Sequence, residues 1–171
     1  VGGTTEMKQA VVDKFSRENG LDYGRDEILV SVGGKQSFYN LAQALLDPGD
    51  EVLIPAPYWV SYPDIVLLAD ASPVALPTDL STRFKITPQQ LQAAITPNSR
   101  LLVLNSPSNP TGSIYTRAEL AALAEVLIAH PQVWIATDDM YEHIRWTGED
   151  YANIVNVCAE LKPRTLVLNG V

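Results

Sequence analysis

The sequence predicts an α/β protein, with a mostly parallel sheet covered by helices on both faces in three α/β/α layers. Two short apolar runs, 101–104 and 133–136, have the composition of strands that are buried on both sides. Stretches with helical spacing alternate with such runs, as the crossover connections between parallel strands require. At 171 residues the chain is also long enough to bury the core of one layered domain.

Helices are predicted where apolar side chains recur every three or four residues between recognisable end residues. Thr4 or Thr5 can cap the first helix and Gly20 can end it. Thr87-Pro88 places a cap and then proline at the start of another helix. On these grounds helices are predicted over 4–20, 35–46, 57–68, 87–95 and 116–129, with a less regular helical stretch at 154–161.

Strands are predicted in the apolar segments between the helices, most of which end at glycine, proline or asparagine. They cover 27–32, 51–54, 73–76, 101–105, 133–137 and 165–169. The alternation continues along the chain without an internal repeat or a low-complexity linker, which indicates one sheet.

The balance of charges narrows the partners that the protein can have. A net charge of −8 and a pI near 4.6 argue against a nucleic-acid-binding surface, which needs clustered lysine and arginine. No apolar run approaches the ~18 residues of a membrane span, and no leader-like segment opens the chain. Cys158 is the only cysteine, and we interpret it as a packed thiol. We expect a cytoplasmic protein that binds neither nucleic acid nor membrane.

Polar residues follow two of the predicted strands at the points where they end. Asn109 lies in the segment NSPSNPTG, and Asp138 and Tyr141 lie in the segment TDDMY. Ligands of open parallel sheets bind beyond the carboxyl ends of the strands, so these groups are expected to share one crevice. Each residue also has a structural interpretation: a turn residue for Asn109, a helix N-cap for Asp138 and a core side chain for Tyr141.

The carboxylate of Asp138 is expected to have a positive partner. It directly follows an apolar strand, and breaking a buried ion pair costs roughly 3–5 kcal/mol. No lysine or arginine follows it until Arg145. The partner is therefore expected from another part of the fold or from a ligand.

Two further segments have residues suited to a flat, anionic ligand. Gly33-Gly34 lead into a helix that begins with Lys35 and Gln36, and helix N-termini of this kind bind phosphate. A tight turn explains the glycines equally well. Trp59 lies in a proline-bearing loop after a strand, where it can stack on a ring or fill the core.

Several common site patterns are missing from the sequence. It contains no GxGxxG and no P-loop spacing, and neither a GxSxG elbow nor a catalytic-cysteine signature. His130 and His143 lack the spacing typical of metal ligands, so both are interpreted as structural and no metal site is expected.

Five motifs extend over nearly the whole chain: GGKQ (33–36), PYWVSYP (57–63), NSPSNPTG (105–112), DDMYEH (138–143) and TLVLNG (165–170). In this order and spacing they resemble the class I, fold-type I aminotransferases that depend on pyridoxal 5′-phosphate. The resemblance is closest to the bacterial-type aspartate or aspartate/prephenate subgroup. It implies transfer of the α-amino group of an amino acid to a 2-oxo acid, with aspartate and 2-oxoglutarate as the expected pair.

The resemblance also implies a role for each residue at the strand ends. Asp138 would pair with the protonated ring nitrogen of the cofactor, which supplies the missing cation. Trp59 would stack on the ring, and Asn109 and Tyr141 would hydrogen-bond its phenolic oxygen. The family's bond at Asn109-Pro110 is typically cis.

For the phosphate and the substrate, the implied residues are Gly34, Lys35 and Gln36 around the phosphate, with substrate contacts from Lys35, Trp59 and Asn109. Lys35 would recognise the distal carboxylate of a dicarboxylic substrate. Asn109 would lie near the α-carboxylate.

The resemblance is incomplete at its reactive group. In the family, a Schiff-base lysine follows the strand that matches 165–170, so its counterpart would lie beyond Val171. None of the lysines in the chain takes that position. We therefore expect residues 1–171 to be the cofactor-binding large domain of a longer, homodimeric protein, without its N-terminal segment and C-terminal small domain. The fragment alone is expected to be inactive.

Two other interpretations stay open. One is a different pyridoxal enzyme of the same fold, such as a carbon–sulfur lyase or another aminotransferase. The other is the aminotransferase-like sensing domain of a transcription regulator, in which a DNA-binding segment would precede this chain.

Overall fold

The computed structural model describes residues 2–146, 148 and 150–170 and contains one five-stranded sheet within them. Its strands are β1 (Glu51–Ala56), β2 (Ser72–Pro77), β3 (Ser99–Asn105), β4 (Trp134–Asp138) and β5 (Thr165–Leu168). Every pairing is parallel and the order across the sheet is β2-β1-β3-β4-β5. The predicted parallel α/β sheet is confirmed.

Helices cover both faces of this sheet. They are α1 (Thr5–Lys14), α2 (Gly33–Leu45), α3 (Ser61–Leu67), α4 (Pro88–Ala94), α5 (Arg117–Ile128) and α6 (Ile154–Val157). Each strand contributes to two cores, because successive side chains point to opposite faces. Leu101 and Val103 pack with α2 and α3, whereas Leu102 and Leu104 pack with α4, α5 and α6.

The strand predicted at 27–32 is wrong. Residues 25–27 form a 3-10 turn, and 28–32 belong to no sheet among the described residues. The backbone near Ile28 is extended, with φ −101° and ψ 127°. The N–H of Val30 donates to the carbonyl of Gly2 at 2.9 Å. The apolar pattern therefore predicted an extended conformation correctly, but no described strand lies alongside it to form a ladder.

Three helical predictions need adjustment. The third helix begins at Ser61 and not at Pro57, because residues 57–60 form a loop closed by a hydrogen bond from the Tyr62 N–H to the Trp59 carbonyl at 3.1 Å. The first helix changes to π-helical spacing at Phe15–Asn19 before Gly20 ends it with φ 61°. The stretch at 154–161 divides into α6 and a 3-10 segment, Ala159–Arg164.

The predicted caps explain where the regular helices begin. Thr4, Thr87 and Thr116 each accept a hydrogen bond from a backbone N–H in the first turn. In α5 the cap is reciprocal, since Glu119 accepts from the Thr116 N–H at 2.7 Å. Glu119 also pairs with Lys85 at 2.5 Å, which connects this helix to the segment before α4.

The described helices include none that is both long and apolar enough to cross a membrane. Cys158 is half-buried and packs against the larger core, as its apolar neighbours predicted.

Two consecutive residues have left-handed backbone conformations. Arg83 and Phe84 have φ values of 55° and 57°, a region that disfavours side chains with a Cβ. The backbone of Arg83 is held there by its N–H, which donates to Leu80 at 3.1 Å, and by its carbonyl, which accepts from Ser113 at 2.8 Å. The Arg83 side chain is exposed. The turn geometry therefore imposes strain at a position whose side chain contributes little packing.

Replacing Arg83 with glycine in the full-length protein should raise the free energy of unfolding by up to about 1 kcal/mol. Glycine relieves left-handed backbone strain, which costs roughly 1–2 kcal/mol per residue. This gain exceeds the roughly 0.5–1 kcal/mol that the greater conformational entropy of glycine in the unfolded chain costs. Urea unfolding measures the change. Arg83→Ala is the matched control, since alanine removes the side chain and retains the strain. An unchanged midpoint for Arg83→Gly would contradict the strain assignment.

Candidate functional site

The strand order places a reversal of chain direction between β1 and β3. From β1 the chain proceeds outward to β2, and from β3 it proceeds the opposite way to β4 and β5. Open α/β sheets bind ligands in the crevice at such a reversal. A cavity of about 20 Å³ lies there, and its lining includes Ile54, Tyr62, Asn105 and Asn109. It has room for roughly one water molecule, so a ring-sized ligand would lie across the open strand ends.

Asn105 connects the ends of β3 and β4. It lies directly opposite Asp138 in the parallel register, and its side-chain amide donates to the Asp138 carbonyl at 2.9 Å. Its side-chain oxygen accepts from the backbone N–H of Asn109 at 2.7 Å. Asn105 therefore brings two predicted site residues together, although the sequence analysis assigned it no role. Its position as the last residue of a buried strand is the signal that could have identified it.

Asn109 lies in a turn, as one of its interpretations predicted. The turn is closed by the Gly112 N–H, which donates to the Ser108 carbonyl at 2.7 Å. The bond between Asn109 and Pro110 is cis, as the resemblance implied. Asn109 also lines the cavity at the strand ends, so it closes a turn and faces the crevice.

Asp138 ends β4 with a half-buried carboxylate. One oxygen accepts from the Tyr62 hydroxyl at 2.5 Å and the other accepts from the Met140 N–H at 3.2 Å. Burial raises the pKa of Asp138, and these two hydrogen bonds offset part of that rise. Both donors are neutral, and the described ion pairs include none to Asp138. The carboxylate caps a turn and not a helix, and its geometry suits a cationic ligand.

Tyr62 is a site residue that the sequence analysis missed. Its side chain is 1% exposed, so α3 buries the ring while the hydroxyl reaches Asp138. Burial raises the pKa of Tyr62, and the charges of Asp138 and Tyr141 raise it further. The hydroxyl therefore keeps its proton at neutral pH and donates a hydrogen bond to Asp138.

Trp59 and Lys35 lie next to each other at the edge of the crevice. The Lys35 Nζ atom is 5.2 Å from the centre of the Trp59 ring. That ring meets Tyr62 edge-on, with centroids 5.3 Å apart and planes at 89°. Trp59 is only partly buried against the core that α2 and α3 share. The Trp59 side chain thus packs against Tyr62 and retains exposed surface.

At the start of α2 the backbone lies close to a neighbouring side chain and presents N–H groups of the first helical turn. Gly34 faces Met140, and a Cβ at Gly34 would be 2.9 Å from the methionine methyl carbon. The side chain of Gln36 accepts from the Val32 N–H at 2.5 Å. The N–H groups of the first helical turn lack intrahelical acceptors, and the helix dipole adds positive potential there. Tight packing and anion binding are therefore both compatible with Gly34.

The histidines lie outside this crevice. His130 contacts the side-chain amide of Gln92, with nitrogens 3.0 Å apart, which agrees with a structural role. His143 lies 3.3 Å from Glu142 and 3.6 Å from Glu18. Lys14 pairs with both carboxylates and provides the positive charge. Sequence spacing did not predict this cluster, because Glu18 comes from the π-helical turn at the other end of the chain.

The described groups suit a ligand with three features. Asp138 requires a positive charge, the N-terminus of α2 favours an anion, and Trp59 offers a ring face between them. The amide nitrogen of Asn169, at the end of β5, is buried without a described acceptor and adds a free donor. A phosphorylated pyridine has this combination of charge and shape.

Comparisons with known proteins agree with this chemistry. The sequence model of the family described as aminotransferase class I and II matches residues 1–171. The chain is 60% identical over 171 residues to an aspartate/prephenate aminotransferase of Nitrosomonas europaea, and 51% identical over 169 residues to an aspartate aminotransferase of Rhizobium meliloti. The alignments cover 100% and 99% of this chain but only 43% and 41% of those relatives. The chain thus spans less than half the length of either one.

Solved structures show the same relationship. The crystal structure of the aspartate aminotransferase from Rhizobium meliloti has a TM-score of 0.98 and 50% identity, over 99% of this chain and 42% of that one. An aromatic aminotransferase from Pyrococcus horikoshii has a TM-score of 0.94 and 33% identity, over 99% and 45%. The match over all 171 residues therefore shows that the chain belongs to the class I and II aminotransferases, which implies pyridoxal 5′-phosphate as its cofactor.

Proposed function

We propose that the full-length protein is an amino-acid aminotransferase that transfers the α-amino group of aspartate to 2-oxoglutarate. Residues 1–171 would form its cofactor-binding large domain. The observation that carries the proposal is the Asp138 carboxylate, which lies at a strand end with two neutral donors and no described cation. A protonated pyridine nitrogen is the partner that this arrangement lacks.

The residues around Asp138 would hold the remaining parts of the cofactor. Trp59 would cover one ring face, and Asn109 and Tyr141 would donate to the phenolic oxygen. Gly34, Lys35 and Gln36 would surround the phosphate at the start of α2. Bound pyridoxal phosphate supplies an electron sink for the negative charge that develops at the substrate Cα. Asp138 would keep the ring nitrogen protonated and so maintain that electron demand.

Substrate recognition would also depend on this edge of the sheet. Lys35 is exposed and lies beside Trp59, so its ammonium group can reach a distal carboxylate. Asn109 would contact the α-carboxylate, with Trp59 as a neighbour. The names of the relatives from Nitrosomonas europaea and Rhizobium meliloti support a dicarboxylic substrate. The lysine that acts as general base in the family would come from beyond Val171.

We also propose that the full-length protein is a cytoplasmic homodimer. Val32 and Val60 are 87% and 73% exposed, and they flank the crevice at the starts of α2 and α3. Apolar side chains in this position favour cover by a second protein surface. Size-exclusion chromatography of the full-length protein checks the proposal, and a monomer at micromolar concentration would contradict it.

A second candidate is an aminotransferase with a different amino donor. The likeness to the aromatic aminotransferase from Pyrococcus horikoshii favours it over a lyase or a sensing domain. The candidates are separated by the steady-state rates of the full-length protein with aspartate, phenylalanine and cysteine. Transamination is measured with 2-oxoglutarate as the amino acceptor. A kcat/KM for aspartate below that for phenylalanine would reject the aspartate assignment.

Asp138→Asn should lower kcat/KM by about 100-fold or more, since the removal of one partner from a buried charge pair costs roughly 3–5 kcal/mol. The variant should not weaken the fold. Burial raises the pKa of Asp138, so the ionised carboxylate opposes folding without the cofactor at neutral pH, and asparagine removes that cost. Urea unfolding of the cofactor-free variant is the control. Unchanged activity would refute the pairing with the ring nitrogen.

Tyr62→Phe removes a hydrogen bond to the ionised carboxylate of Asp138, an interaction that contributes roughly 1.5–3 kcal/mol. Loss of this donor raises the pKa of Asp138, so the acid limb of the kcat/KM profile should move to higher pH. Tyr39→Phe, at an exposed tyrosine of α2, is the matched control. A profile identical to that of the control variant would show that the hydroxyl does not tune Asp138.

A further inference from the structure

Asp139 is a fully buried acidic residue for which the proposed function has no use. Its side chain is 0% exposed, although it directly follows the half-buried Asp138. The two carboxylates point to opposite sides of the strand end. Asp138 points toward Tyr62 and the α2/α3 layer, and Asp139 points toward Asn153 and the opposite core.

Each carboxylate oxygen of Asp139 has its own donor. The Thr137 hydroxyl donates to one oxygen at 2.6 Å, and the Asn153 amide donates to the other at 2.8 Å. The nearby Tyr151 hydroxyl donates to the Ser106 carbonyl at 3.1 Å. The strand end at 137–139 and the segment that holds Asn153 therefore meet at one buried side chain.

The backbone of Asp139 connects this cluster to the rest of the site. Its N–H donates to the Leu168 carbonyl of β5 at 2.9 Å, and its carbonyl accepts from the Glu142 N–H at 3.0 Å. The first bond sets the separation between the ends of β4 and β5. The second closes the turn that carries Tyr141. A displacement of Asp139 would therefore move Asp138 and Tyr141 together.

The two neighbouring carboxylates, Asp138 and Asp139, differ in their surroundings and in how readily they ionise. The described hydrogen-bond donors of Asp139 are neutral, and burial raises its pKa to about 7. Asp139 thus has a much weaker tendency to ionise than an exposed aspartate. The negative charge at the strand end is concentrated on Asp138, which faces the crevice.

We propose that Asp139 is a positioning residue: through Thr137, Asn153 and Leu168 it holds the Asp138 carboxylate at the place where the ring nitrogen binds. The inference rests on the proposed function, because it needs pyridoxal phosphate as the ligand of Asp138. It assigns Asp139 no contact with the cofactor. Its effect is on the alignment of a charge with the ring nitrogen.

The test uses three variants of the full-length protein: Asp139→Asn, Asn153→Asp and the double variant. Asp139→Asn has one acceptor oxygen where Asp139 has two, so one of the hydrogen bonds from Asn153 and Thr137 loses its acceptor. In the double variant the carboxylate at position 153 can accept from the amide introduced at position 139, whose oxygen stays available to Thr137. The carboxylate that Asn153→Asp introduces can still cap α6, where the Asn153 side chain now accepts from the Val155 N–H at 3.0 Å.

Two ligands separate alignment of the charge from loss of structure. One is pyridoxal phosphate, and the other is its analogue in which CH replaces the ring nitrogen. For Asp139→Asn we expect the Kd for pyridoxal phosphate to rise about tenfold, as for a buried group left without its partner. The Kd for the analogue should change less than about twofold, because it has no ring nitrogen for Asp138 to meet. The double variant should return both values to near wild type.

Each alternative result is decisive. Equal weakening of both ligands would show a structural role only, and an unchanged Kd or a double variant without recovery would also overturn the proposal. If Asp139→Asn is insoluble, Thr137→Val withdraws one hydrogen bond and is judged by the same two ligands. A wild-type protein that binds neither ligand would refute the proposed function. If the wild-type protein binds pyridoxal phosphate and Asp139→Asn binds it with the same Kd, this inference alone is refuted.

Discussion

The parallel register between β3 and β4 is the constraint on which the site depends. It pairs Asn105 with Asp138 at the last rung of the ladder. Because both strands end at the same edge, a backbone carbonyl, a side-chain amide and a backbone N–H come within hydrogen-bonding distance there. A shift by one residue would turn Asp138 toward the opposite core. The buried apolar residues Ile135 and Ala136 before it oppose such a shift.

Burial gives the strand end its chemical character. Asp138 has lost much of its hydration, and the described donors to it are neutral. A neutral donor lowers the cost of the charge but does not cancel it, so a bound cation gains from the remaining potential. Asp139 has the same residue type and a different environment, and its charge is suppressed by complete burial. Two adjacent aspartates thus serve opposite faces of one strand.

The sequence predicted the strands that are buried on both faces and the helices with threonine caps, because these features are local. It failed at 28–32, where an extended segment has no described strand beside it. It selected Asp138 and Asn109 as candidates by their places after strands. It missed Tyr62, Asn105 and Asp139, whose roles come from partners distant in sequence or from the register. Tyr62 and Asp138 are 76 residues apart, and no spacing rule connects them.

Relatives whose names give different substrates share this fold. Aspartate and aromatic aminotransferases both superpose closely, with TM-scores of 0.98 and 0.94. On the proposed function, the strand ends and the start of α2 would form a cofactor site common to relatives with different substrates. Lys35 differs from these groups because its side chain is exposed and lies beside the Trp59 ring. An exposed cation beside an aromatic ring can change its partner without a change in the fold, so selectivity for a dicarboxylic substrate would depend on such edge residues.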